Sequence, residues 1–262
     1  KIGLLFSFFV FFLPVNVVYA GEIRMYTLAM LLVTITSIYA YRIFKNSKEN
    51  SSVISIKNWI VFGLFSLCSA YTHYYGLVTI GIINMLMFFA FLIPSIKNKK
   101  ISNNLKAFIV CGILQIALYI PWILSLLKQM GQVSNSFWIY VTPDLFLELF
   151  TFYFTGNLKD TIYISIPFAI IWSLFIEIYI AYPYIKDIKK SKKEKLELYN
   201  RYKPAVLAIS IFLSVVIAVS IVSIILWRPI IYARYLLCAL GLLMFFMAFT
   251  MVKRGKIGRA HV

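Results

Sequence analysis

The feature that most constrains this chain is the recurrence, from one end to the other, of apolar runs roughly as long as a helix must be to cross about 30 Å of hydrocarbon. Cutting the sequence at its charged clusters gives eight candidate spans, at 2–19, 25–44, 58–75, 76–95, 106–127, 161–183, 204–226 and 235–252. The third and fourth are separated only by Tyr75-Gly76. Pro14, Pro94, Pro121 and Pro167 fall inside spans, where neighbouring helices allow a proline to kink a helix without ending it. Composition agrees, because 62% of the residues are apolar and only 13% charged, against about 45–50% and about 25% in a soluble domain. The expectation is an all-α integral membrane protein with about eight transmembrane helices, and a soluble globular domain is excluded. Cys68, Cys111 and Cys238 each sit within an apolar run, with none of the spacings of a disulfide framework or a zinc site.

The 26 Lys and Arg against 9 Asp and Glu give a formal charge of +17, which in a soluble protein would suggest nucleic acid. Here loop location explains it. If alternate spans run in opposite directions, Lys1, the 42–57, 97–106 and 186–203 loops and the tail from Lys253 collect 21 of the 26 cations on one side. Cationic loops are retained in the cytoplasm, so the charge orients the spans and no nucleic-acid partner is needed. The other side keeps Arg24, Lys128, Lys159, Arg228 and Arg234. This predicts a multi-pass protein of the cell membrane whose sparsely charged face is extracytoplasmic.

That face carries the candidate residues. In the first outer turn, Glu22 and Arg24 stand two residues apart at the mouth of a span, either pairing to anchor a helix end or serving a site. His73, in Tyr71-Thr72-His73-Tyr74-Tyr75, is either a hydrogen-bonded packing residue in an aromatic belt or an acid/base group or metal ligand. Arg228 and Arg234 flank the last outer turn, where each either snorkels or offers a planar fork to phosphate oxygens. Glu177, deep in the sixth span, is either a hydrogen-bonding bundle residue or functional. The longest outer segment, 128–160, repeats Asp144, Glu148, Thr151 and Thr155 at helical spacing, with Phe146, Phe150, Phe152 and Phe154 elsewhere. The pattern predicts a short interfacial helix over 143–156, with a helix hairpin dipping into the protein as the alternative. Its acidic stripe, Asp144 included, suits sugar hydroxyls better than phosphate. No phosphate-binding loop, dinucleotide fingerprint, zinc-protease or serine-hydrolase motif is present.

Four segments together resemble the polytopic glycosyltransferases of the C-type fold, which include the protein O-mannosyltransferases and bacterial sugar transferases using polyprenyl-phosphate donors. They are Leu13-Pro14 leading to Tyr19 and the Glu22-x-Arg24-Met25-Tyr26 turn, then Tyr71-Thr72-His73-Tyr74-Tyr75-Gly76, then Pro121-Trp122 followed by Ser136-Phe137-Trp138, then Arg234-Tyr235-Leu236-Leu237. They recur in the family's order across about residues 10–245. Ala20-Gly21 replaces the family's usual Ser-Gln, and Cys238 stands where Pro is frequent.

The resemblance implies a membrane enzyme that moves a sugar from a polyprenyl-phosphate donor to an acceptor glycan, lipid or protein. Arg24, Tyr26, Arg234, Tyr235, Trp138 and Asp144 would contact substrate, Glu22 and His73 would support catalysis, and a divalent metal, with His73 a possible ligand, occurs in some relatives. The family's catalytic acid lies in a first outer loop, so it is expected upstream of Lys1, and residues 1–256 are expected to be a partial transferase domain lacking its base. Residues 257–262, His261 among them, match one frame of a sequencing adapter and are set aside as an artefact. A secondary transporter or lipid flippase is the alternative, but it would need a polar midplane path or internal repeats, and no repeat is evident.

Overall fold

A computed structural model describes residues 1–22, 24–49, 55–133, 152–153, 192–225 and 230–257. All regular structure among the described residues is helical. The long elements are α1 (Ile2–Phe12), α2 (Pro14–Ala20), α3 (Tyr26–Glu49), α4 (Ile56–Thr72), α5 (Tyr74–Lys97), α6 (Asn103–Val133), α7 (Lys192–Ile225), a 3-10 segment (Ala233–Ala239) and α8 (Leu240–Ile257). Five described helical stretches are long and apolar enough to cross a membrane, and six are if α1 and α2 count as one bent span. The chain is thus helical and multi-pass, but two of the expected spans take a different form.

The 2–19 run is broken. α1 and α2 meet at 58°, because Pro14 lacks an N–H and its ring pushes Leu13 into extended geometry (φ −66°, ψ 124°). Asn16 Nδ2 donates to the Phe9 carbonyl at 3.2 Å, partnering a carbonyl beside the break. The 58–75 run becomes a helix of 17 residues, at the lower end of the length that crosses a bilayer, because His73 is extended (φ −158°, ψ 143°) and ends it. The break between the third and fourth runs therefore falls at His73, not at Tyr75-Gly76. Pro94 and Pro121 lie inside continuous helices. The expected 161–183 span lies outside the described residues, as do Pro167 and Glu177.

The 3-10 segment and α8 form the centre, with 67% of that stretch buried, whereas α6 lies at the margin with 6% buried. α3 packs on α4, α5 and the 3-10 segment, while α8 packs on α1 and α7. Hydrocarbon gives no drive to bury one apolar helix on another, so close fit and small residues must hold the bundle. Buried hydroxyls do not compete with this fit: Thr36, Ser69 and Thr79 donate to carbonyls one turn back, at 2.7–2.9 Å.

The bundle has two chemically distinct ends. Lys203 lies over the Phe44 ring (4.6 Å), and Tyr202 meets Phe249 and the start of α1 near Ile2. The ends of α3 and α8 and the starts of α1 and α7 therefore share the lysine-rich end. The starts of α3, α5 and the 3-10 segment gather at the opposite one.

Candidate functional site

At that opposite end, hydrogen bonds from His73 and Tyr75 hold α4, α5 and the chain entering the 3-10 segment together. His73 closes α4 and opens α5: its N–H donates to the Ser69 carbonyl at 3.3 Å, and its Nδ1 accepts from the Tyr75 N–H at 3.1 Å. Few residues cap a helix through an imidazole, and here the cap uses the lone pair that a neutral ring keeps. Gly76 permits the tight turn, since a Cβ there would lie 2.5 Å from the Ser69 carbonyl oxygen. Tyr75 Oη then donates to the Ile230 carbonyl at 2.6 Å, tying α5 to the strand of chain that enters the 3-10 segment.

Rings fill the junction. Tyr26, His73 and Tyr235 contact one another with centroid separations of 5.5, 5.5 and 6.3 Å, and Tyr75 meets both His73 and Tyr235 at 5.8 and 5.4 Å. Tyr19 of α2 packs edge-on to Tyr26 at 5.8 Å. Burial pushes the His73 imidazole down to about 4, so it is neutral at pH 7, with the proton on Nε2 because Nδ1 is the acceptor.

Two cations stand over this aromatic floor. Arg24 Nε lies 3.2 Å from Glu22 Oε2, which is shielded from solvent but not aligned for a hydrogen bond. A hydrogen bond with Tyr26 and then the Glu22 charge hold the Arg24 guanidinium even more firmly protonated than usual. Arg234 Cζ sits 4.4 Å from the centroid of the Tyr232 ring, a cation–π arrangement. Tyr235 lies within electrostatic reach of both guanidinium groups, and Tyr19 within reach of Arg234 and Glu22. Glu22, Arg24, Tyr26, His73, Arg234 and Tyr235 therefore gather in one place. Trp138, Asp144 and Arg228 lie outside the described residues, as does the expected interfacial helix except Phe152 and Tyr153.

The sequence reading placed Phe152 away from the polar stripe of that helix and did not single out Tyr153; both are buried. Phe152 stacks on Tyr19 at 5.7 Å, and the Tyr153 hydroxyl has no hydrogen-bond partner among the described residues. The aromatic content of the 143–156 segment was legible; the packing of Phe152 on α2 and of Tyr153 on Phe212 of α7 was not. For a metal, no group of three or more His, Cys, Asp or Glu side chains is assembled among the described residues. His73 Nδ1 is engaged as the cap of α5, which leaves Nε2 as its one nitrogen toward a ligand. No protein-family model, curated protein or solved structure matches the chain.

Proposed function

We propose that the chain forms the membrane core of a glycosyltransferase that moves a sugar from a polyprenyl-phosphate donor to an acceptor glycan, lipid or protein at the extracytoplasmic face of the cell membrane. The observation that supports this reading is the meeting of Tyr26, His73 and Tyr235. They come from three of the four resemblance segments, and Arg24 and Arg234 share their neighbourhood. The eight-span topology and an interfacial cover over 143–156 belong to the same proposal.

In this reading the two guanidinium forks hold the donor phosphate at the bilayer surface while its polyprenyl tail stays in lipid. Negative charge grows on that phosphate as its bond to the sugar carbon breaks, and fixed cations stabilise this growth without reorganising. The Tyr faces pack on the apolar C–H face of the sugar. Glu22, ion-paired with Arg24 and partly exposed, offers its carboxylate to sugar hydroxyls. His73 is a positioning residue that fixes the α4–α5 corner, and Trp138 and Asp144 complete the substrate contacts. None of these residues is assigned the acceptor's proton.

The test is transfer by the full-length protein in proteoliposomes, using polyprenyl phosphate that carries a radiolabelled hexose or pentose. Label should pass to an acceptor fraction, and Arg24→Ala or Arg234→Ala should lower the rate about 100-fold, the scale of losing one fixed transition-state contact. Lys at either position should restore little, because it offers a point charge instead of a fork. No transfer from any such donor overturns the reading, and near-normal turnover of both Lys variants overturns bidentate phosphate recognition.

A further inference from the structure

The lysine-rich end of the bundle contains a cavity of about 950 Å³ that the transferase reading does not use. It lies between the inner halves of α3, α5, α7 and α8 and the start of α1. On α3 its wall runs from Thr34, Ser37 and Ile38 down to Tyr41, Arg42 and Lys45 at the helix end. The side chains of α5, α7 and α8 make the deep part of the cavity mainly apolar, and the end of α3 makes its mouth cationic. Arg42 and Lys45 are exposed there, and Asn58 of α4 adds an amide. Leu86, Ala208 and Phe245 make the deep wall, where the small Ala208 leaves the space open.

We propose that this cavity seats an anionic phospholipid of the cytoplasmic leaflet, with an acyl chain among Leu86, Ala208 and Phe245 and its headgroup phosphate at Arg42 and Lys45. The volume lies within the about 300–1,000 Å³ of pockets that take small-molecule ligands. An apolar shaft ending in cations complements an amphiphile with one negative end. A soluble anion has no use for the shaft, and a zwitterionic lipid, whose choline offsets its phosphate, gains less from the cations than a lipid of net negative charge. The inside excess of Lys and Arg places the mouth where anionic headgroups are concentrated. The site is independent of the outer aromatic cluster, which lies at the other end of α3 and α5.

The experiment uses the chain in phosphatidylcholine nanodiscs doped with phosphatidylglycerol that carries a diazirine near the end of one acyl chain. A phosphatidylcholine probe with the same diazirine serves as the comparison. Illumination should label peptides containing Leu86, Ala208 or Phe245, and the anionic probe should exceed the zwitterionic one by about tenfold. The Arg42→Gln/Lys45→Gln pair, at exposed positions that folding tolerates, should abolish that preference. Millimolar glycerol phosphate should leave labelling unchanged. Equal labelling by the two probes, or a preference that survives the Gln pair, overturns the headgroup assignment. Full competition by glycerol phosphate shows a free-phosphate site instead of a lipid site. Labelling confined to outer faces such as Ile113 and Leu124 of α6 shows that protein fills the cavity, and ends the proposal.

Discussion

His73 shows how one side chain can be visible in a sequence while its role is not. The sequence isolates it as the single histidine once the tail is set aside, and leaves packing, catalysis and metal binding open. The structure uses it as a joint, with Nδ1 capping α5 and the ring pressed between Tyr26, Tyr75 and Tyr235. Because burial holds its pKa at about 4, below the 6.5 of the unfolded chain, the unfolded state binds a proton between these values that the folded state refuses. Stability should therefore be level above pH 6.5 and fall as pH drops from 6.5 toward 4. The melting temperature in micelles should decrease by several degrees across that window. In His73→Asn, which keeps an acceptor and cannot titrate, the decrease should be markedly smaller, and identical slopes would show that the cap is not the titrating group. Arg24 and Arg234 were easier to find, since the charge count leaves few cations on their side of the spans. Phe152 and Tyr153 were not, because an aromatic in a membrane protein carries no sign of whether lipid or protein surrounds it.

At the scale of the helix, the apolar runs were legible but their shape was not. Apolar content alone does not show that an extended histidine ends the third run after 17 residues, and the 2–19 run bends at a proline of the same type as Pro94 and Pro121, which are accommodated. What distinguishes Pro14 is that it occupies the first position of α2, with Leu13 extended before it. Two glycines permit close approaches that composition does not announce. A Cβ on Gly76 would meet the Ser69 backbone, whereas one on Gly241 would meet the Thr34 hydroxyl, a side chain that can rotate away from its bond to the Met30 carbonyl. Gly76→Ala should thus cost about 1–3 kcal/mol by overpacking, and Gly241→Ala less. Denaturation of each variant in the same detergent checks the order, and a reversed order would mean that the α4–α5 corner is looser than its backbone contacts indicate.

For the molecule as a whole, the sorting of cations and the packing of the helices agree. The charge count assigns Lys45, Lys203 and Lys253 to one side, and ring contacts bring Phe44, Lys203, Tyr202 and Phe249 together at one end. In a chain whose native cysteines are replaced, Gly21→Cys should react with an impermeant maleimide added to intact cells, and Lys99→Cys only after permeabilisation. The opposite pattern would invert the molecule and move the aromatic cluster to the cytoplasm. The central claim is that Arg24 and Arg234 grip one phosphate, and a double-mutant cycle on kcat/KM with a polyprenyl-phosphate sugar tests it most directly. If both forks bind the same group, Arg24→Ala/Arg234→Ala should lose far less than the product of the two single losses, because either deletion already breaks the shared grip. Losses that multiply fully would place the two guanidinium groups in separate sites and contradict the account.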